Sequence, residues 1–124
     1  MVKDNNIYVK HILDAIADIE KYVTAKTFAE FWEETLIQDG VIRKIEIVGE
    51  VARQISDKFK KEHQEIPWRQ VVDLRNKLIH EYFGVDLEAI WLVTQKDLPP
   101  LNDQLRDVLK QSSLLWNTRG RRYR

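Results

Sequence analysis

Six apolar residues, Val41, Ile45, Val48, Ala52, Ile55 and Phe59, recur at spacings of 4, 3, 4, 3 and 4. That rhythm lines one face of a helix and leaves the other face polar. A chain with such a seam buries it by packing helix against helix at about 20°, not by pairing strands. Ile12, Ile16, Ile19 and Val23 repeat the rhythm near the N-terminus, and Leu101, Leu105, Val108 and Leu109 repeat it near the other end. No segment alternates apolar and polar residues long enough to make a useful strand. The fold class this predicts is all-α, an up-down bundle of four to five helices.

Punctuation sets the expected boundaries. Asn5 or Asn6 is suited to cap the first helix, and Thr27 a short second one from Phe28 to about Glu34. A long helix follows from about Leu36 to Phe59. Gly40 and Gly49 sit inside it at a cost of about 1 kcal/mol each relative to alanine. Close approach of a neighbouring helix at Gly49 would justify one of them. Pro67 fits the first turn of a helix reaching Tyr82, with Gly84 as a left-handed stop. Asp86 caps a helix containing Leu87, Ile90, Trp91 and Thr94, which Pro99-Pro100 should kink or restart. One domain over residues 1–112 is expected, followed by a basic, flexible tail over 113–124.

Composition narrows the possible functions. The 124 residues include no cysteine, so disulfides, thiolate zinc sites and cysteine nucleophiles are excluded. No apolar run reaches the roughly 18 residues of a membrane span, and no signal peptide follows Met1, so a cytoplasmic protein is expected. Net charge is zero, but Arg119, Arg121, Arg122 and Arg124 crowd the C-terminus. Setting those 4 aside leaves 16 of the 20 basic residues against 20 acidic ones, a body of net −4. Such a body does not grip nucleic acid through charge alone. The tail is a solvated end or a handle for RNA or an acidic partner.

Most polar groupings carry no chemistry. His11, His63 and His80 lie too far apart for a helical metal site, so neither metal nor cofactor is expected. Asp14 with Asp18, and Glu30 with Glu33 and Glu34, read as solvated helix faces. Trp32, Trp68 and Trp91 read as core or interface residues rather than stacking platforms. The segment from Val71 to Tyr82 departs from this pattern. On one continuous helix advancing about 100° per residue, Arg75 falls in the middle of the stripe made by Val71, Leu74, Leu78 and Tyr82. A guanidinium there either snorkels past its neighbours or reaches a carboxylate, a cavity or an interface. Asn76 and His80 form an i, i+4 pair on the adjoining face.

Arg75-Asn76-Lys77-Leu78-Ile79-His80-Glu81-Tyr82 has the pattern of Arg, four residues, His, one residue, Tyr. With Ile45-Glu46-Ile47-Val48-Gly49-Glu50, Glu65-Ile66-Pro67-Trp68, Phe83-Gly84-Val85-Asp86 and Asp97-Leu98-Pro99-Pro100, it resembles the HepT-like toxins of the HEPN superfamily. The resemblance runs from about residue 5 to 112. It implies a ribonuclease toxin, active as a homodimer or higher oligomer on transfer or messenger RNA. It also implies a nucleotidyltransferase antitoxin that uses ATP to place AMP on the toxin. Carried over residue by residue, Arg75 and His80 match the catalytic pair, Asn76 a supporting polar position, and Tyr82 both a supporting residue and the AMP acceptor.

Metal-independent cleavage of RNA needs a group that moves the 2′-hydroxyl proton and a cation beside the phosphorus. His80, with an ordinary pKa near 6.5, suits the first role, and the Arg75 guanidinium the second. On a straight helix the two point about 140° apart. Either the helix loosens before His80 or two subunits share one cleft; the sequence reading favours a dimer with both motif helices at its two-fold axis. The alternative function is a non-catalytic, substrate-binding partner of a nucleotidyltransferase.

Overall fold

A computed structural model describes residues 4–80 and 84–120, with backbone alone at 77, 79, 80, 84, 85 and 113–120. Helix α1 (Asn5–Val23) packs along α3 (Thr35–Gln54), burying Val9, Ile12, Ile16 and Ile19 against Val41, Ile45, Val48 and Ala52. These are the two stripes read from the sequence, and each large side chain so buried is worth about 1.5–3 kcal/mol. Asp4, not Asn5 or Asn6, caps α1, accepting a hydrogen bond from the Asn6 amide at 3.0 Å. The two asparagines are used over longer range. Asn5 exchanges side-chain hydrogen bonds with the Ser56 hydroxyl and amide, and Asn6 donates to Ser112 Oγ at 2.6 Å. Together they pin the start of α1 to two distant parts of the chain.

Helix α2 (Phe28–Glu33) begins with a reciprocal cap. The Glu30 amide donates to Thr27 Oγ1, and the Thr27 amide donates to Glu30 Oε1. Its Phe31 is fully buried and lies 5.4 Å from the Trp91 ring, while Trp32 and Leu36 face outward.

The long central helix is shorter than expected, because Ile55 turns extended and Ser56 starts α4 (Asp57–Glu62). Ser56 Oγ accepts from the Phe59 amide at 3.2 Å, so a strong N-cap competes with continuation of the helix. Helix α5 (Trp68–Val72) follows Pro67, with Trp68 in the core and its Nε1 donating to the His63 carbonyl at 3.0 Å. After it come α6 (Leu74–Leu78), strands β1 (Ile79–His80) and β2 (Gly84–Val85), α7 (Leu87–Leu92), a π-helical turn (Val93–Asp97) and α8 (Leu98–Gly120). Asp86 caps α7 as expected, accepting from the Ala89 amide. At the proline pair the helix does not restart: it runs on through the π turn, with Val93 and Leu98 both helical in backbone. The Leu98 amide bonds back five residues to Val93, and this wider turn makes room for Pro99 and Pro100 at the start of α8.

The expected helix from Pro67 to Tyr82 does not form as one piece. It breaks at Asp73 and ends at Leu78, and Ile79 and His80 pair antiparallel with Val85 and Gly84. Val71-Val72-Asp73 is a weak helical run, and Ile79 opposite Val85 suits a strand pair. Gly84 is therefore a strand residue, not a helix stop. Tyr82 lies outside the described residues. The backbone of α8 crosses the boundary expected at residue 112 and reaches Gly120.

Candidate active site

The site is set by how closely α5 approaches α3. Gly49 faces the Val72 carbonyl, and a Cβ on Gly49 would stand 3.1 Å from that oxygen. Close approach at Gly49 is thus what the structure shows. One turn back along α3 is Glu46, and three residues beyond Val72 is Arg75, the spacing of two segments passing antiparallel. There Arg75 Nε donates to Glu46 Oε2 at 2.8 Å.

Arg75 is not in an apolar stripe. Its side chain is 54% exposed, and the Glu46 side chain 25%. Val71, Leu74 and Leu78 keep one buried face across the break at Asp73, and with the helix ending at Leu78 and Ile79 in a strand the stripe narrows to that face and leaves Arg75 on its flank. Leu74 and Leu78 still point into the core. Of the outlets open to the guanidinium, the fold supplies a carboxylate, and solvent beyond it. Asn76, next along α6, is exposed. The backbone of His80 lies in β1, paired with Gly84. The helix therefore ends before His80, and the angular separation that pointed to a second subunit no longer applies. The structure places Arg75, Asn76 and the His80 backbone on one short helix-to-strand segment; the His80 side chain and Tyr82 lie outside what is described.

Sequence reasoning did not single out Glu46. Its signals were its place in the Ile45–Glu50 segment that carries the family resemblance and its position one turn before a glycine that admits another backbone. On another side of the α5–α6 joint, an open groove of about 580 Å³ is lined by residues including Arg69, Asp73, Leu74, Lys96 and Gln104. Its charges are mixed, unlike the uniformly basic track that follows a nucleic-acid backbone. Among the described residues no three His, Asp or Glu side chains gather as a metal site, and no helix is long and apolar enough to cross a membrane.

The helical bundle thus presents an exposed Arg-Asn pair just ahead of the strand that carries His80. The chain belongs to the HepT-like family, whose model, described as Ribonuclease HepT-like, matches residues 12–108. It is 40% identical over 111 residues to a Methanocaldococcus jannaschii protein named as a gamma-glutamylcyclotransferase and candidate RNase, covering 90% of this chain and 50% of that one. The chain thus spans half the length of that relative. A Thermococcus cleftensis protein named as a probable ribonuclease HepT is 37% identical over 110 residues, 89% of this chain and 100% of the relative. A Caldanaerobacter subterraneus protein named as a candidate RNase is 32% identical over 104 residues, 84% of this chain and 93% of the relative. No solved structure matches the chain significantly.

Proposed function

We propose that the protein is a metal-independent endoribonuclease, the toxin of a toxin–antitoxin pair, with Arg75 and His80 as its catalytic residues. The observation that carries this reading is the exposed Arg75 guanidinium on a helix that ends just before His80. In the reaction the RNA 2′-oxygen attacks the adjacent phosphorus and the bond to the 5′-oxygen breaks. A 2′,3′-cyclic phosphate and a 5′-hydroxyl result. His80 moves the proton, a contribution of about 10²–10⁴ in rate. Arg75 meets the charge that builds on the phosphoryl oxygens. Asn76 and Tyr82 support the site. Tyr82 is also where a nucleotidyltransferase antitoxin places AMP from ATP, adding a negative phosphodiester and an adenosine that block the guanidinium. A homodimer joined through the motif segment belongs to the proposal on the strength of the family resemblance.

The test is cleavage of transfer RNA and messenger RNA by the purified protein in excess chelator, with Arg75→Ala and His80→Ala as folded controls. Cyclic-phosphate products from the wild type and none from either variant are expected. Cleavage that stops on adding chelator overturns the mechanism. RNA left intact by a protein that still binds a nucleotidyltransferase favours the non-catalytic alternative.

A further inference from the structure

The Arg75–Glu46 contact contains an apparent contradiction. A guanidinium meant for phosphate is held by an acid that competes with phosphate for it. The contact is made through Nε, at 2.8 Å from Glu46 Oε2. Because the guanidinium is a planar fork, fixing Nε sets the direction of the Nη1–Nη2 edge, which points away from Glu46. A long, 54% exposed side chain is thereby oriented from its stem side by the less exposed carboxylate. The scaffold behind the contact is stiff. Glu46 sits within α3, one turn from Gly49, where the α5 backbone is in contact.

We infer that Glu46 is a positioning residue for Arg75, holding its Nη edge toward the place where charge builds in the transition state. This rests on the assignment of Arg75 to RNA cleavage. A phosphodiester carries one negative charge, whereas the pentacoordinate species formed on 2′-oxygen attack carries nearly two. The Glu46 carboxylate lowers the pull of Arg75 on the singly charged ground state. The same charge weakens the pull on the transition state as well, so any gain in kcat comes from alignment: the Nη edge is already aimed where charge develops. Interactions that strengthen only as charge develops raise kcat, whereas uniform attraction to phosphate lowers KM alone. Glu46 thus trades substrate affinity for turnover.

The test uses the full-length protein with Glu46→Gln and Glu46→Ala. Glu46→Gln keeps the size and an oxygen acceptor for Nε but removes the charge; Glu46→Ala removes both. Two quantities are read: kcat and KM on an RNA oligonucleotide, and binding of the same oligonucleotide with a 2′-deoxy sugar at the cleavage site, which cannot react. Glu46→Ala should lower kcat roughly 10- to 100-fold, the scale of a misplaced catalytic group, with KM unchanged or lower. Glu46→Gln should fall between it and wild type. Both should bind the deoxy oligonucleotide more tightly than wild type, and this gain should vanish when Arg75→Ala is also present. A merely structural Glu46 predicts weaker binding and a lower melting temperature instead. Wild-type kcat in Glu46→Ala, or tighter binding that persists without Arg75, overturns the inference. If the wild type cleaves no RNA, the assignment of function fails, and the binding comparison alone decides the Glu46–Arg75 coupling. Should Glu46→Ala fail to fold, Glu46→Gln carries both measurements.

Discussion

Gly49 and Val72 touch backbone to backbone: the space a side chain would need at Gly49 is taken by the Val72 carbonyl, 3.1 Å from where a Cβ would stand. A carbonyl in a packed helix cannot step aside as a side-chain tip can. Gly49→Ala should therefore cost about 1–3 kcal/mol, the usual range for overpacking. It should also reduce RNA cleavage by drawing Arg75 away from Glu46. Gly40 supplies the control. The nearest atoms to a Cβ there belong to the edge of the Tyr22 ring, at 3.1 Å, and that ring can turn. Gly40→Ala should be neutral or stabilising, because alanine gains about 1 kcal/mol in helix propensity. Urea melts of the two variants check the contrast.

Phe31 and Leu36 make a second pair with opposite expected outcomes. Phe31 is fully buried, whereas Leu36 is 86% exposed. Phe31→Ala should cost about 3–5 kcal/mol. Leu36→Glu should change stability by no more than about 0.5 kcal/mol, since it only adds an acid to the first turn of α3. Equal losses in thermal melts would show that Leu36 is covered in solution.

Acid should weaken the fold through two identified carboxyls. The hydrogen bond from Lys44 holds Asp18 below the usual carboxylate range, helped by the charges of Lys44 and Lys21. The Thr27 backbone amide, then its hydroxyl, does the same for Glu30. A group whose folded pKa is depressed adds stability above its unfolded pKa, near 4, and loses it as pH falls through the lower folded value. Asp18→Asn and Glu30→Gln should therefore lose less stability than wild type as pH falls from about 5 through the depressed carboxyl values. Lys44 has the opposite sign. Its pKa is raised by the bond to Asp18, so its share persists below about pH 10 and is lost as pH rises through the raised value. Melting curves across both ranges, in low salt, read the effect; parallel curves for wild type and Asp18→Asn count against it.

Intact mass spectrometry tests the proposed switch. Protein co-expressed with its nucleotidyltransferase should gain AMP units that map to Tyr82, and Tyr82→Phe should gain none. AMP on Tyr22 or Tyr123 would falsify the assignment.

The bundle was legible because its two central stripes depend only on spacing along one helix. Ile12 to Val23 and Val41 to Ala52 lie where a wheel puts them. What the wheel missed are places where a local competitor ends a helix. Ser56 caps a new helix in mid-pattern, Asp73 interrupts a weak run, and Ile79-His80 finds a strand partner in Gly84-Val85. Apolar periodicity alone does not register these, because Val71, Leu74 and Leu78 stay buried across the break. The error reached the site, because the stripe drawn around Arg75 counted residues beyond the end of the helix at Leu78. Arg75 stood out for its place in the supposed apolar stripe and in the motif, and its partner was missed because Glu46 lies 29 residues away on another helix.

The π-helical turn at Val93–Asp97 links two properties of the sequence that look independent. Such a turn holds one residue more than the α-helix it interrupts, and here it widens the backbone just ahead of Pro99 and Pro100. Deleting Gln95 alone would tighten the turn and drive the proline rings toward carbonyls one turn back, at about 3 kcal/mol or more. Replacing the prolines first removes that clash and leaves the extra residue as harmless slack. Chain length and proline content at this corner are therefore epistatic, with an allowed order of change: the prolines must go before the spare residue can.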